Sequence, residues 1–87
     1  MKADHRKVKH RLSIAKGQIE GIAKMVEEDA YCIDISNQLL ATIALLKKVN
    51  QDVISAHLFS CVKEAQGSPE LEEKLEEIDG ILARMSK

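Results

Sequence analysis

Aromatic side chains are almost missing from this chain. Its 87 residues include no tryptophan, one tyrosine (Tyr31) and one phenylalanine (Phe59), so the core must be aliphatic. No apolar run approaches the roughly 18 residues of a membrane helix. The opening Met1-Lys-Ala-Asp-His-Arg-Lys lacks the apolar stretch of a signal peptide. A cytoplasmic protein with no membrane partner is therefore expected. Cysteine is scarce too. Cys32 and Cys61 are the whole complement, and in a reducing compartment they read as ligands, redox thiols or buried hydrophobes, not as a structural disulfide. The short length fits one domain, residues 1–87, and a chain of this size buries only about 60% of its unfolded surface. Alone it would be marginal.

Charge is present in quantity but unevenly placed. The formal net charge is −1. The first sixteen residues carry Lys2, Arg6, Lys7, Lys9, Arg11 and Lys16 against Asp4 alone. Residues 64–79 reverse this, with Glu64, Glu70, Glu72, Glu73, Glu76, Glu77 and Asp79 against Lys74. A basic end on a near-neutral protein points to an anionic partner, nucleic acid being the usual one. Lys9, Arg11 and Lys16 are its candidate contacts; the competing reading is a solvated helix face.

Three helices account for the pattern. Val8, Leu12, Ala15, Ile19, Ile22 and Val26 recur at spacings of four and three, an apolar seam for a helix over residues 5–28. Gly17 and Gly21 interrupt it at about 1 kcal/mol each relative to alanine, and a close helix–helix approach is the expected compensation. Asp29 can cap the helix that follows. From Ala30 to Gln66 there is neither glycine nor proline, and apolar residues cover more than one face. That describes a long, central helix. Two short partners in one chain cannot cover it, so a second copy is implied: an antiparallel dimer with a four-helix core. Gly67-Ser68-Pro69 reads as a stop and restart. Leu71, Leu75, Ile78, Leu82 and Met85 then give a short amphipathic third helix. The fold class is all-α, with a three-helix protomer.

The chemistry lies in His57-Leu-Phe-Ser-Cys61. An imidazole and a thiolate four apart share one helix face and can hold one metal ion. Cys32 lies 25 residues before His57, roughly 37 Å away along an unbroken helix rising 1.5 Å per residue. One chain could not bring all three together. Two antiparallel chains could, if the dyad passes near Ala44-Leu45-Leu46. Two thiolates and an imidazole form a soft, three-ligand set that suits Cu(I), whereas zinc normally takes four ligands. His5 or His10 could add a donor, which would favour Ni(II), Co(II) or Zn(II). Tyr31 and Glu77 are candidate supports around the ligands, Glu77 as the carboxylate that a ligating histidine usually engages. A catalytic Cys-His pair needs a cleft and an orienting group, and a narrow bundle offers little cleft. An enzyme is not expected. Tolerated core residues remain the plain alternative for His57 and Cys61.

The run from Arg11 to Ile35 resembles the start of the CsoR/RcnR family of metal-sensing repressors, with Gly17-Gln18, Gly21-Ile22, Glu27-Glu28 and Tyr31-Cys32 all in place. His57-Leu-Phe-Ser-Cys61 resembles that family's second ligand element. The resemblance implies an all-helical dimer that assembles into a homotetramer and represses metal-efflux genes. Operator DNA would be bound without a helix-turn-helix in the metal-free form and released when metal binds. It implies the Cu(I)-sensing branch, with Cys32, His57 and Cys61 as ligands. Tyr31 and Glu77 would stand beside them, and Arg11 and Lys48 at DNA-contact positions. Persulfide-sensing relatives lack the histidine, and nickel and cobalt relatives recruit an N-terminal one. Where the family usually reads Arg-Ile-Glu before Gly-Gln, this chain has Ile14-Ala15-Lys16. A thiol or persulfide switch, a nickel or cobalt sensor, and a helical assembly module that binds no DNA are the alternatives.

Overall fold

The computed structural model describes residues 1–65 and 70–85, and the described residues form three helices and no strands. Gly67, Ser68 and Pro69, read above as a stop and restart, lie outside the described residues.

Helix α1 spans His5–Glu27. Asp4 caps it: its carboxylate accepts from the backbone N–H of Arg6 at 2.9 Å and of Lys7 at 3.3 Å, satisfying donors that the first turn leaves free. At the other end Asp29 takes a positive φ of 54°. Its N–H donates to the Val26 carbonyl and that of Ala30 to the Met25 carbonyl, the paired bonds of a Schellman closure. Asp29 therefore closes α1 and does not cap the next helix, contrary to the sequence reading. Tyr31 takes that place, its carbonyl accepting from Asp34 and Ile35. Helix α2 then runs without interruption over Cys32–Ala65, 34 residues. Helix α3 spans Glu70–Met85 and opens with Glu70, Glu72 and Glu73, favourably for its dipole.

Two compact units divide the chain, and α2 passes from one into the other. In the unit of residues Asp4–Asn50, α1 lies on the first half of α2. Ala15, Ile22, Thr42 and Val49 are buried there, with Val8, Gln18, Met25, Ile35 and Leu45 half-buried. In the other unit, which begins with Met1–Ala3 and resumes at Gln51, Ala3, Cys61 and Ile78 are buried.

Each predicted seam is used along one edge only. On α1, Leu12, Ile19 and Val26 stay exposed, as do Leu75 and Leu82 on α3. The inward edge of α1 is Val8, Arg11, Ala15, Gln18, Ile22 and Met25, rotated from the predicted stripe and two residues more polar. The close approach expected at Gly17 and Gly21 is not made among the described residues: a Cβ built at either meets nothing within 4 Å.

Candidate metal centre and nucleic-acid face

His57 and Cys61 sit on successive turns of α2, and the fold brings them together. Cys61 Sγ lies 3.3 Å from His57 Nε2, with Cys61 buried and His57 half-buried. Metal–nitrogen and metal–sulfur bonds of about 2.0 and 2.3 Å to one ion put their donors roughly 3.5 Å apart, so the pair is already spaced to share an ion. The donor chemistry also fits, since soft thiolate and imidazole groups suit Cu(I).

Cys32 occupies the first position of α2 and is exposed. Among the described residues no three histidine, cysteine or acidic side chains converge within one chain. Because α2 is unbroken from Cys32 through Cys61, the structure does not bring Cys32 to the pair. By sequence spacing alone, all three fall on one side of a helix with 3.6 residues per turn. Cys32, Leu39, Ile43, Leu46, Asn50, His57 and Cys61 follow at spacings of seven, four, three, four, seven and four, a single stripe at 3.6 residues per turn. Leu39, Ile43, Leu46 and Asn50, its middle, are all exposed.

The candidate supports are less advanced. Tyr31 is 67% exposed beside Cys32. Glu77 is exposed on α3, and the described structure gives it no hydrogen bond to His57. On the basic side, Lys9 and Lys16, seven apart and so on one face of α1, are both exposed, as is Lys48 on α2. Arg11 is half-buried on the edge of α1 that turns toward α2. His5 and His10 are exposed.

The model of one protein family, described as metal-sensitive transcriptional repressor, matches residues 4–84. The chain belongs to that family. It is a metal-responsive repressor and not an enzyme, as the sequence led us to expect. It is 40% identical over 77 residues to the copper-sensing transcriptional repressor RicR of Mycobacterium tuberculosis (strain ATCC 25618 / H37Rv), covering 86% of this chain and 80% of the relative. Among solved structures it is similar to the copper-sensing repressor CsoR with Cu(I) from Geobacillus thermodenitrificans NG80-2. There the TM-score is 0.83 at 33% identity, over 94% of this chain and 85% of the other. The nickel-responsive transcriptional regulator InrS matches with a TM-score of 0.82 at 27% identity, over 98% and 96%.

Sequence reasoning missed one polar contact of the repressor. Thr42 is 5% exposed, and its Oγ1 donates to Gln18 Oε1 at 2.8 Å across the α1–α2 interface. A trace was legible: Gln18 falls between Ala15 and Ile22 at spacings of three and four, a polar residue on the inward edge of α1.

Proposed function

We propose that this protein, as a single regulatory domain of residues 1–87, represses transcription by binding operator DNA in its metal-free form and lets go on taking up Cu(I). Cys32 of one chain and His57 with Cys61 of an antiparallel second chain hold the ion. The single observation that carries this is the convergence of His57 Nε2 and Cys61 Sγ at 3.3 Å on α2. The stripe on that helix supports the shared site. A second copy laid antiparallel so that Cys32 faces His57 also sets Ile43 against Leu46 and Leu39 against Asn50. One register thus pairs the exposed aliphatic residues near the dyad and completes two sites at the ends. The likeness to copper-sensing repressors supports the choice of ion.

Bound Cu(I) supplies a positive, thiophilic centre that ties the two chains together. Everything else is done by the protein. Lys9, Arg11, Lys16 and Lys48 offer cations to the phosphates of the duplex, and the affinity they give is salt-dependent because it comes from counterion release. Release requires that the DNA-free conformation hold the metal more tightly than the DNA-bound one. Glu77, accepting from the ring N–H of a ligating His57, is the proposed link. The working assembly is a homodimer or homotetramer in the cytoplasm.

Competition for the reduced protein among Cu(I), Ni(II) and Zn(II), followed by duplex release, tests this. Tight Cu(I) binding at one ion per chain with loss of DNA is the expected result. The fold similarity to the nickel-responsive InrS makes the second outcome concrete: Ni(II) binding that recruits His5 or His10 and releases DNA while Cu(I) does not would replace the copper reading.

A further inference from the structure

Helices α1 and α2 meet through side chains that say little about how they should be turned. Ala15, Ile22 and Val49 are the buried apolar residues of this unit, with Val8, Ile35 and Leu45 half-buried beside them. The two aromatics take no part, Tyr31 being 67% and Phe59 74% exposed. Aliphatic burial is non-directional, and aliphatic contacts tolerate repacking when volume is conserved. Such contacts define the rotation and register of a helix less sharply than a directional bond does. Thr42 and Gln18 are different. The Thr42 hydroxyl has one proton and two acceptors in reach, Gln18 Oε1 at 2.8 Å and the Gln38 carbonyl at 3.2 Å. The first of these crosses between helices. A hydrogen bond holds only over a narrow range of distance and angle. Sliding α1 by one turn, about 5.4 Å, would break it and leave Thr42 only the carbonyl of its own helix.

We infer that the Gln18–Thr42 hydrogen bond is a positioning contact for DNA recognition, fixing the rotation and axial register of α1 on α2 and so the layout of the basic surface. This rests on the DNA-binding reading proposed above. The basic residues of that surface are split between the two helices: Lys9, Arg11 and Lys16 precede Gln18 on α1, and Lys48 follows Thr42 on α2. A duplex presents its phosphates at fixed intervals, and every cation that falls out of alignment forfeits a counterion-releasing contact. Neither Gln18 nor Thr42 needs to touch DNA. Their effect is on where the lysines stand.

The test separates positioning from folding. In the double variant Gln18→Leu/Thr42→Val both polar groups are removed together, so no buried group is left unpaired and stability is nearly conserved. Thr42→Ser keeps the hydroxyl. The probe is the duplex that the parent protein selects from a randomised pool, titrated over a salt series, with thermal midpoint and Cu(I) uptake measured alongside. The double variant should melt at or above the parent and take up Cu(I) at the parent stoichiometry. It should bind the duplex about tenfold more weakly, with a salt slope flatter by about one unit. Thr42→Ser should bind like the parent. A double variant with parental duplex affinity and slope overturns the inference and leaves the repressor reading intact. So does one whose weaker binding is matched by a lower midpoint and lost Cu(I) uptake, since the pair is then merely structural. A parent that selects no duplex overturns the repressor reading, and this inference with it.

Discussion

Replacing Ile43 by alanine tests the antiparallel dimer where it is most exposed to failure. In the single chain Ile43 is 47% exposed, so truncating it there would remove only part of the burial of a core isoleucine. In the proposed dimer it lies near the dyad against Leu46 of the second chain. Truncating a fully buried isoleucine costs about 2–5 kcal/mol. With roughly half of that burial already present in the monomer, about 2 kcal/mol per site falls on the dimer alone. Symmetry doubles it to about 4 kcal/mol, or close to a thousandfold in the dimer dissociation constant at 1.4 kcal/mol per decade. Sedimentation equilibrium of the metal-free protein over a concentration series measures this directly. The helical content of the dissociated chain should change little. If Ile43→Ala leaves the association constant within a few-fold of the parent, the exposed stripe of α2 is not the dimer interface, and the shared site loses its scaffold.

Mixing a Cys32→Ala chain with a His57→Ala/Cys61→Ala chain and co-refolding them should restore tight Cu(I) binding at one ion per heterodimer, against two per parent dimer; a site contained within one chain would recover nothing. Lys16→Ala should weaken duplex binding and flatten the salt slope by about one unit at an unchanged thermal midpoint, whereas Arg11→Ala, half-buried, should do the same and also lower the midpoint. Glu77→Ala should keep most of the Cu(I) affinity and lose much of the coupling, so copper addition displaces it from DNA incompletely; full displacement would place the link elsewhere. Asp29→Gly should raise stability by about 0.5–1 kcal/mol, because glycine adopts the positive φ at that position without strain, and Asp29→Val, scored by the same melt, should lower it.

Helix boundaries were readable because their determinants are local. The seam from Val8 to Val26, the absence of glycine and proline from Ala30 to Gln66, and the acidic start at Glu70 each act within a turn or two of themselves. The His57–Cys61 pair was readable for the same reason, since a spacing of four on a helix is enough to place both side chains. Asp29 was misread because a carboxylate before a helix suits either a cap or a left-handed closure, and only the backbone bonds of Asp29 and Ala30 distinguish them. The inward edges of α1 and α3 were misjudged because an apolar seam does not say which neighbour covers it. Ile22 and Ile19 are the same residue type on adjoining faces, one buried and one 53% exposed. The Gln18–Thr42 contact joins residues 24 apart, and no local spacing announces it.

The scarcity of aromatics has an optical consequence. Tyr31 is the chain's only phenol, its ring is exposed at the threshold of α2, and its immediate neighbour is Cys32. With no tryptophan to dominate the emission, the tyrosine fluorescence of the unlabelled protein comes from one position next to one candidate ligand. Ordinary proteins bury such a report under many fluorophores. Here one candidate ligand carries its own single-site lamp beside it, and the proposed metal occupancy and docking of a second chain can be tested through it without attaching a dye.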